Sequence, residues 1–214
     1  IELSHLRYAI YWNFYWPTAV RGAKICVLRS SHESTLAIVR RFCMRIGING
    51  IGRIGRLAIR ALQRHPGLEL IHVNDAVGDA ETHAHLLAFD SVHGHWDVSV
   101  SAERDRLVIN GKSVKFTSER TLEGARFDGC DLVLECTGRF KSVNALRPYL
   151  DGGIRQVVVS APIKVPEVLN VVMGVNQSWF STEKYPIVTA ASCTTNCIAP
   201  AIKVIHDTFG IRHG

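Results

Sequence analysis

The chain has 214 residues, 47% of them hydrophobic, which is enough apolar material for one large domain or one domain plus a fragment. Its net charge of +6 is lopsided, because residues 1 to 43 hold six Lys/Arg against two Asp/Glu and leave only +2 for the rest, so the balance makes no case for nucleic acid. No apolar run approaches the roughly 18 to 20 residues that span a bilayer, and six cysteines without regular spacing in a chain this long point to a reducing cytosol rather than a disulfide scaffold.

Residues 1 to 43 stand apart: they carry seven of the 17 aromatic residues, begin with Ile and end at Cys43, immediately before Met44. Their apolar cluster AIYWNFYWPTAV is interrupted by Asn13 and Pro17 and lacks the charged lead-in of a signal peptide. It reads either as a membrane-surface or partner-binding element or, preferably, as an appended stretch from a misplaced start, outside a fold that begins at Met44.

From Met44 onward, β-rich runs alternate with helical ones. RIGING (45 to 50) reads as a buried strand, followed by helical spacing of Ile54, Leu57, Ala58, Ala61 and Leu62. LELIHVND (68 to 75) is a second strand, a helix is expected near 79 to 89, and RLVINGKSVKF (106 to 116) predicts a hairpin turning at Asn110-Gly111. CDLVLECTG (130 to 138) is a strand, a helix follows near 142 to 151, and QVVVSAP (156 to 162) and NVVMGVN (170 to 176) are further strands. This alternation implies an α/β protein with a Rossmann-type doubly wound, mostly parallel sheet.

Gly50-Ile51-Gly52-Arg53-Ile54-Gly55 fits G-x-G-x-x-G between a strand and an amphipathic helix, the context that gives the motif meaning. Gly50 permits the tight turn, Gly52 leaves room for a pyrophosphate, and Gly55 lets helix and strand pack closely. The helix start then offers free N–H groups to phosphate. Asp75, 20 residues past Gly55, suits hydrogen bonds from the adenosine ribose hydroxyls. It would repel a 2′-phosphate, and NDAVGDAE holds no basic residue to offset it, so NAD is favoured over NADP.

In ASCTTNC (191 to 197), Ser192 precedes a run in which Ile198, Ile202 and Ile205 share a helical face. Cys193 is therefore expected at a helix N-terminus, a position that stabilises a thiolate and whose N–H groups can hold an oxyanion. Cys197, one turn on, is expected to pack, and Pro200 to strain the helix. C-x-x-x-C alone lacks the further ligands a metal needs, and no metal is expected. His83, His85, His93 and His95 imply no convergent ligand geometry either: the first pair points apart on a helix and the second lies in a loop. A thiol nucleophile downstream of a dinucleotide site suggests aldehyde oxidation through a covalent intermediate.

With NGIGRIGR (49 to 56), VND (73 to 75), DSVHG (90 to 94), TGRF (137 to 140), SAP (160 to 162), VMGVN (172 to 176) and ASCTTNC in this order, the chain resembles phosphorylating glyceraldehyde-3-phosphate dehydrogenases from Met44 to Gly214. Erythrose-4-phosphate dehydrogenases share much of the pattern. LAFDSVHGHW, VLNVVMGVNQ and VTAASCTTNCIAP look most like the branch associated with arsenate resistance. The resemblance implies pyrophosphate contacts from Arg53 and Ile54, ribose contacts from Asp75, adenine-side contacts from Arg120 and Thr137, and a nicotinamide-side role for Ser160. It implies Cys193 as nucleophile, with Ser192 and Thr194 near the substrate phosphate or inorganic phosphate. After Arg120 the chain reads ERTLEG where many members have ERDP.

The implied division is residues 44–192 as the NAD-binding domain and 193–214 as the first helix of a catalytic domain, with 1–43 as an atypical extension. The implied partners are glyceraldehyde 3-phosphate, inorganic phosphate or arsenate, and three further copies in a cytoplasmic homotetramer; neither nucleic acid nor membrane is implied. The family's general base and substrate-binding Arg match no residue here. His206 and His213 do not correspond to the base, so the chain reads as a truncated product or gene fragment, a dehydrogenase lacking its downstream half or a non-catalytic NAD-binding module.

Overall fold

Strand β1 (Met44–Asn49) lies at the middle of a nine-stranded sheet and is almost continuously apolar because both of its faces are covered. The computed structural model describes residues 43–213; apart from Cys43, the expectations placed on residues 1–43 lie outside the described residues. After β1 come α1 (Arg53–Leu62), β2 (Leu68–Asn74), α2 (Ala80–Ala88), and a two-stranded ladder of β3 (Phe89–Asp90) and β4 (Gly94–His95). Then follow β5 (Val100–Ala102), β6 (Arg106–Ile109), β7 (Lys112–Thr117), α3 (Leu122–Ala125), β8 (Leu132–Glu135) and α4 (Val143–Asp151). β9 (Gln156–Val159), β10 (Leu169–Asn170), a 3₁₀ turn (Gln177–Trp179), β11 (Ile187–Thr189) and α5 (Cys193–Phe209) complete the chain.

The sheet order is β10-β11-β9-β8-β1-β2-β7-β6-β5. Every pairing from β10 to β7 is parallel, and only the β7–β6 and β6–β5 pairings are antiparallel, so β6 alone runs against the rest. The chain leaves β1 toward β2 and later returns to the other flank of β1 as β8, so the winding reverses at β1, where such sheets open a crevice. Two cores cover the two faces. On one, Ile59 and Leu62 of α1 and Ala84 and Leu87 of α2 meet Ile46, Leu132 and Leu134. On the other, Phe127 and the α4 residues Leu146 and Tyr149 meet Val133 and Val157. Alternate residues of β8 thus enter opposite cores, as a doubly covered strand requires.

The doubly wound reading holds, with local corrections. The buried stripe of α1 is Gly55, Ile59 and Leu62, whereas Ile54 is 55% exposed. Close packing at Gly55 sets the helix's rotation, and positions four and seven residues on follow it inward. NVVMGVN is a strand only at its first residue; Val172 to Asn176 turns, with Gly174 at φ 84° and the Asn176 side chain accepting from the Val172 N–H at 2.8 Å. β8 stops at Glu135, short of the expected 138, because the chain turns into the crevice there. The hairpin at Asn110-Gly111 forms as expected, both residues at positive φ (51° and 75°), the pattern of a type I′ turn.

Helix α5 has the expected N-cap in Ser192, whose side chain accepts from the Thr195 N–H, and runs unbroken through Pro200. None of its residues is buried, so the expectation that Cys197 packs is not met: among the described residues no element covers that face, and Ile198, Ile202, Ile205 and Phe209 are exposed with it.

Candidate active site

The residues singled out from sequence all stand just beyond the carboxyl ends of parallel strands. Across the sheet they run Cys193 after β11, Ser160 after β9, Thr137 after β8, the glycine turn after β1, Asp75 after β2 and Arg120 after β7. At about 4.8 Å per strand spacing, the five intervals from β11 to β7 extend roughly 24 Å, enough for an extended dinucleotide with a reactive group at one end.

The glycine turn is shaped by what its backbone touches. Gly50 sits at φ 90°, and a Cβ there would lie 2.6 Å from the Thr137 nitrogen, so the turn is pressed against the segment leaving β8. A Cβ on Gly55 would come within 2.0 Å of the Gly50 oxygen. Around Gly52 nothing lies within 4 Å of a Cβ position, and as the N-cap of α1 it supplies no side chain to the helix's first N–H groups. An open backbone surface with free donors is the complement of a pyrophosphate, so this chain's residues fit a dinucleotide. Arg53 and Ile54, both exposed, flank that surface.

Asp75 binds the turn to the neighbouring strand: its Oδ2 accepts from the Ile51 N–H at 2.7 Å and its Oδ1 from the Val77 N–H at 3.0 Å. Each carboxylate oxygen keeps acceptor capacity for a ribose hydroxyl. Exposed Arg120 follows Glu119, whose backbone N–H and C=O are both held by the Asn74 side chain, at 2.9 and 3.0 Å.

Sequence reading missed the polar layer beneath these loops. Glu135 is fully buried, and its carboxylate accepts from Asn49 Nδ2 at 3.0 Å, Tyr149 OH at 2.7 Å, Thr137 N–H at 2.8 Å and the Thr137 hydroxyl. Burial first, and then the adjoining Glu135 carboxylate, push the Tyr149 phenol up from its ordinary range. Cys136, next in the chain, is pushed up to about 12, again by burial first and then by Glu135. Ser160 is joined to the same segment through its N–H on the Glu135 carbonyl oxygen, 2.9 Å away.

Cys193 is the first residue of α5 and is exposed. The turn before it is tightly held. Ala191 takes a positive φ of 55°, its N–H donates to Thr189 Oγ1 at 3.0 Å, and that hydroxyl donates to Asn170 Oδ1 at 2.6 Å. Asn196 Nδ2 bridges the Ala190 and Ser192 carbonyl oxygens at 2.7 and 2.9 Å. Ser192 Oγ lies 3.0 Å from Thr194 Oγ1 and 2.7 Å from Thr195 Oγ1, clustering three hydroxyls at the helix start.

The histidines do not join the site. His83 is buried against Phe116 with its Nε2 on the Val77 carbonyl oxygen, while His85 and His95 both lie against the exposed Phe89 ring and His93 pairs with Asp90. Among the described residues no three His, Cys, Asp or Glu side chains converge as metal ligands. His206, 13 residues past Cys193 on one helix, is roughly 20 Å further along the axis, and His213 lies beyond the same end. Among the described residues no helix is long and apolar enough to cross a membrane.

A parallel sheet that reverses at β1, with a glycine turn and an acid on the next strand, defines a dinucleotide-binding protein. Residues 44–143 match the family model for the NAD binding domain of glyceraldehyde 3-phosphate dehydrogenase, and residues 192–214 that for its C-terminal domain. Glyceraldehyde-3-phosphate dehydrogenase 3 of Nostoc sp. is 49% identical over 173 residues, 80% of this chain and 51% of that protein. The Geobacillus stearothermophilus glyceraldehyde-3-phosphate dehydrogenase is 44% identical, and the cytosolic one of Leishmania mexicana 41%, over the same shares. The chain belongs to the glyceraldehyde-3-phosphate dehydrogenase family and carries its NAD-binding domain and the start of its C-terminal domain. It spans about half the length of the curated relatives it matches, and NAD is the cofactor its nucleotide domain takes.

Proposed function

We propose that this chain contributes the NAD site and the nucleophile for phosphorylating oxidation of glyceraldehyde 3-phosphate in a cytoplasmic enzyme. The observation that carries this reading is the placement of exposed Cys193 at the N-terminus of α5, on the same sheet edge as the glycine turn. Gly50, Gly52, Arg53, Ile54, Gly55, Asp75, Arg120, Thr137 and Ser160 hold the dinucleotide, and Ser192 and Thr194 face the substrate or acceptor phosphate. Residues 44–192 form the nucleotide domain and 193–214 open the catalytic one, a division supported by the absence of buried residues along α5.

The Cys193 sulfur attacks the aldehyde carbon to form a thiohemiacetal, with the N–H groups at the helix start facing the developing oxyanion. When bound, NAD would supply the acceptor for the hydride as this adduct is oxidised to a thioester, the hydroxyl proton leaving to a general base. An oxygen of inorganic phosphate, or arsenate, then attacks the thioester carbon; the acyl phosphate or 1-arseno-3-phosphoglycerate departs and the thiolate is restored. Among the described residues α5 places no histidine within reach of Cys193, so in this reading the described part of the chain binds NAD without turning it over.

Titration with NAD, followed by assay with glyceraldehyde 3-phosphate and phosphate, tests both parts. Saturable NAD binding without NADH formation is the expected result; absence of binding sinks the reading of the site, and NADH formation sinks the inactivity. With the full-length protein, comparison of erythrose 4-phosphate as substrate and of arsenate as acceptor decides the finer specificity.

A further inference from the structure

Beneath the crevice, one buried hydrogen-bond chain crosses four adjacent strands, β7, β2, β1 and β8. Its direction is fixed at one end by backbone, because the Glu119 N–H can only donate and so sets Asn74 Oδ1 as the acceptor at 2.9 Å. The Thr117 hydroxyl donates to the same oxygen at 2.8 Å, which leaves its lone pair for His72 Nε2 at 2.9 Å. Asn74 Nδ2 then donates to Asn49 Oδ1 at 2.8 Å, and Asn49 Nδ2 donates to Glu135 Oε2 at 3.0 Å and to Tyr149 OH at 2.7 Å. The Tyr149 hydroxyl donates to Glu135 Oε2, and Thr137 donates from both N–H and O–H to Glu135 Oε1. Apart from the second Asn74 N–H, which returns to the Glu119 carbonyl oxygen, the donors run toward Glu135, and all four contacts of its carboxylate are donors.

We infer that Glu135 is a positioning residue for the NAD crevice: as the acceptor-only end of this chain it fixes Thr137 and Asn49, and through them the glycine turn. The link to the turn is steric as well as chemical. Asn49 immediately precedes Gly50, and Gly50 abuts the Thr137 nitrogen so closely that no Cβ fits between them. At the other end Asn74 holds the segment carrying Arg120, so one chain orders loops on both sides of the β1 switch point. A glutamine in place of Glu135 has the same shape but must aim an N–H at another donor, either Thr137 N–H or Asn49 Nδ2, and one buried donor goes unpaired.

The inference rests on the reading of this crevice as the NAD site, and the test separates the two. In the 214-residue chain, Glu135→Gln should weaken NAD binding by about tenfold or more, the effect of one unpaired buried donor. It should also raise amide hydrogen exchange at residues 50–54 and 137–139 in the absence of nucleotide. The double variant Asn49→Asp with Glu135→Gln moves the carboxylate one place along the chain. The carboxylate now on β1 then accepts from Asn74, from Tyr149 and from the new amide on β8, while the oxygen of that amide accepts from Thr137, so every group is paired again. Affinity and exchange should return to within about threefold of the unaltered protein, a coupling that a merely structural residue would not show.

If Glu135→Gln leaves both readouts unchanged, or if the double variant behaves like the single one, the positioning role is overturned. If the single variant does not fold, the double variant decides alone, its folding and NAD binding supporting the inference and its failure overturning it. If the unaltered chain binds no NAD, the reading of the crevice falls, while hydrogen exchange still decides whether Glu135 orders the loops.

Discussion

The backbone N–H of Ile51 points at Oδ2 of Asp75 from 2.7 Å, so the carboxylate proposed to select the nucleotide also holds the turn proposed to receive its phosphates. Asp75→Asn presents an N–H to either the Ile51 or the Val77 amide, both donors. NAD affinity should fall by about tenfold, in line with a lost hydrogen bond to a charged acceptor. Removal of the negative charge should narrow the gap between NAD and NADP. Paired titrations with both nucleotides check this, and an unchanged gap would show that Asp75 does not discriminate.

The glycines of the turn separate fold from function. Gly55→Ala forces a Cβ onto the Gly50 oxygen and should cost about 1–3 kcal/mol of stability, as overpacking does. Gly52→Ala meets nothing within 4 Å in the protein and should alter stability by less than about 0.5 kcal/mol. It should nonetheless weaken NAD, because its methyl group occupies the open pyrophosphate surface. Thermal melts and NAD titrations of the two variants test the contrast; an equal loss of affinity without any difference in melting would contradict it.

The thiols should divide by environment. Burial pushes Cys130 and Cys136 up to about 12, whereas Cys193 and Cys197 are exposed on α5. Brief alkylation near neutral pH, mapped by peptide mass spectrometry, should mark Cys193 and Cys197 in the native protein and reach Cys130 and Cys136 only after denaturation. Prompt native labelling of Cys130 would count against the core described around β8 and α3.

His72 should make stability fall in mild acid. Burial, with Lys115 adding to it and Asp128 opposing, lowers its folded value to about 4 from 6.5. The folded state therefore binds fewer protons than the unfolded state between those values. The neutral ring's contribution is complete above about 6.5 and is lost as pH falls toward 4, up to ~3 kcal/mol in all. Urea unfolding at about pH 7.5 and about pH 4.5 should show a smaller acid loss in His72→Gln than in the unaltered protein. Equal losses would remove His72 as the cause.

Much of this was legible because it rests on local pattern. The glycine turn, Asp75 at the end of β2 and Ser192 before Cys193 are each fixed by neighbours in sequence. The layer of Asn49, Asn74 and Glu135 was not, since each residue ends an apolar run and looks like a strand terminus. The available signal was register: Asn49 pairs with Asn74 on one side and with Glu135 on the other. Three polar side chains at one level of neighbouring strands imply a shared hydrogen-bond system. NVVMGVN misled for the opposite reason, its β-branched residues hiding a turn that the Asn176 side chain closes. Cys197 misled because amphipathic spacing says which side of a helix is apolar, and not whether anything lies against it.

The central position of β1 also sets a timetable. Its β2 partner follows after a single helix, but the β8 partner is 86 residues away, the separation of Arg45 from Asp131. At about 5–20 residues per second, a ribosome needs on the order of ten seconds to supply it. Through that interval one edge of β1 has no strand beside it, and Asn49 waits for its carboxylate. The sheet can meanwhile grow only on the β2 side, where β7, β6 and β5 all precede β8 in the chain, so the last strand edge of the central region to be closed is the one beside the glycine turn.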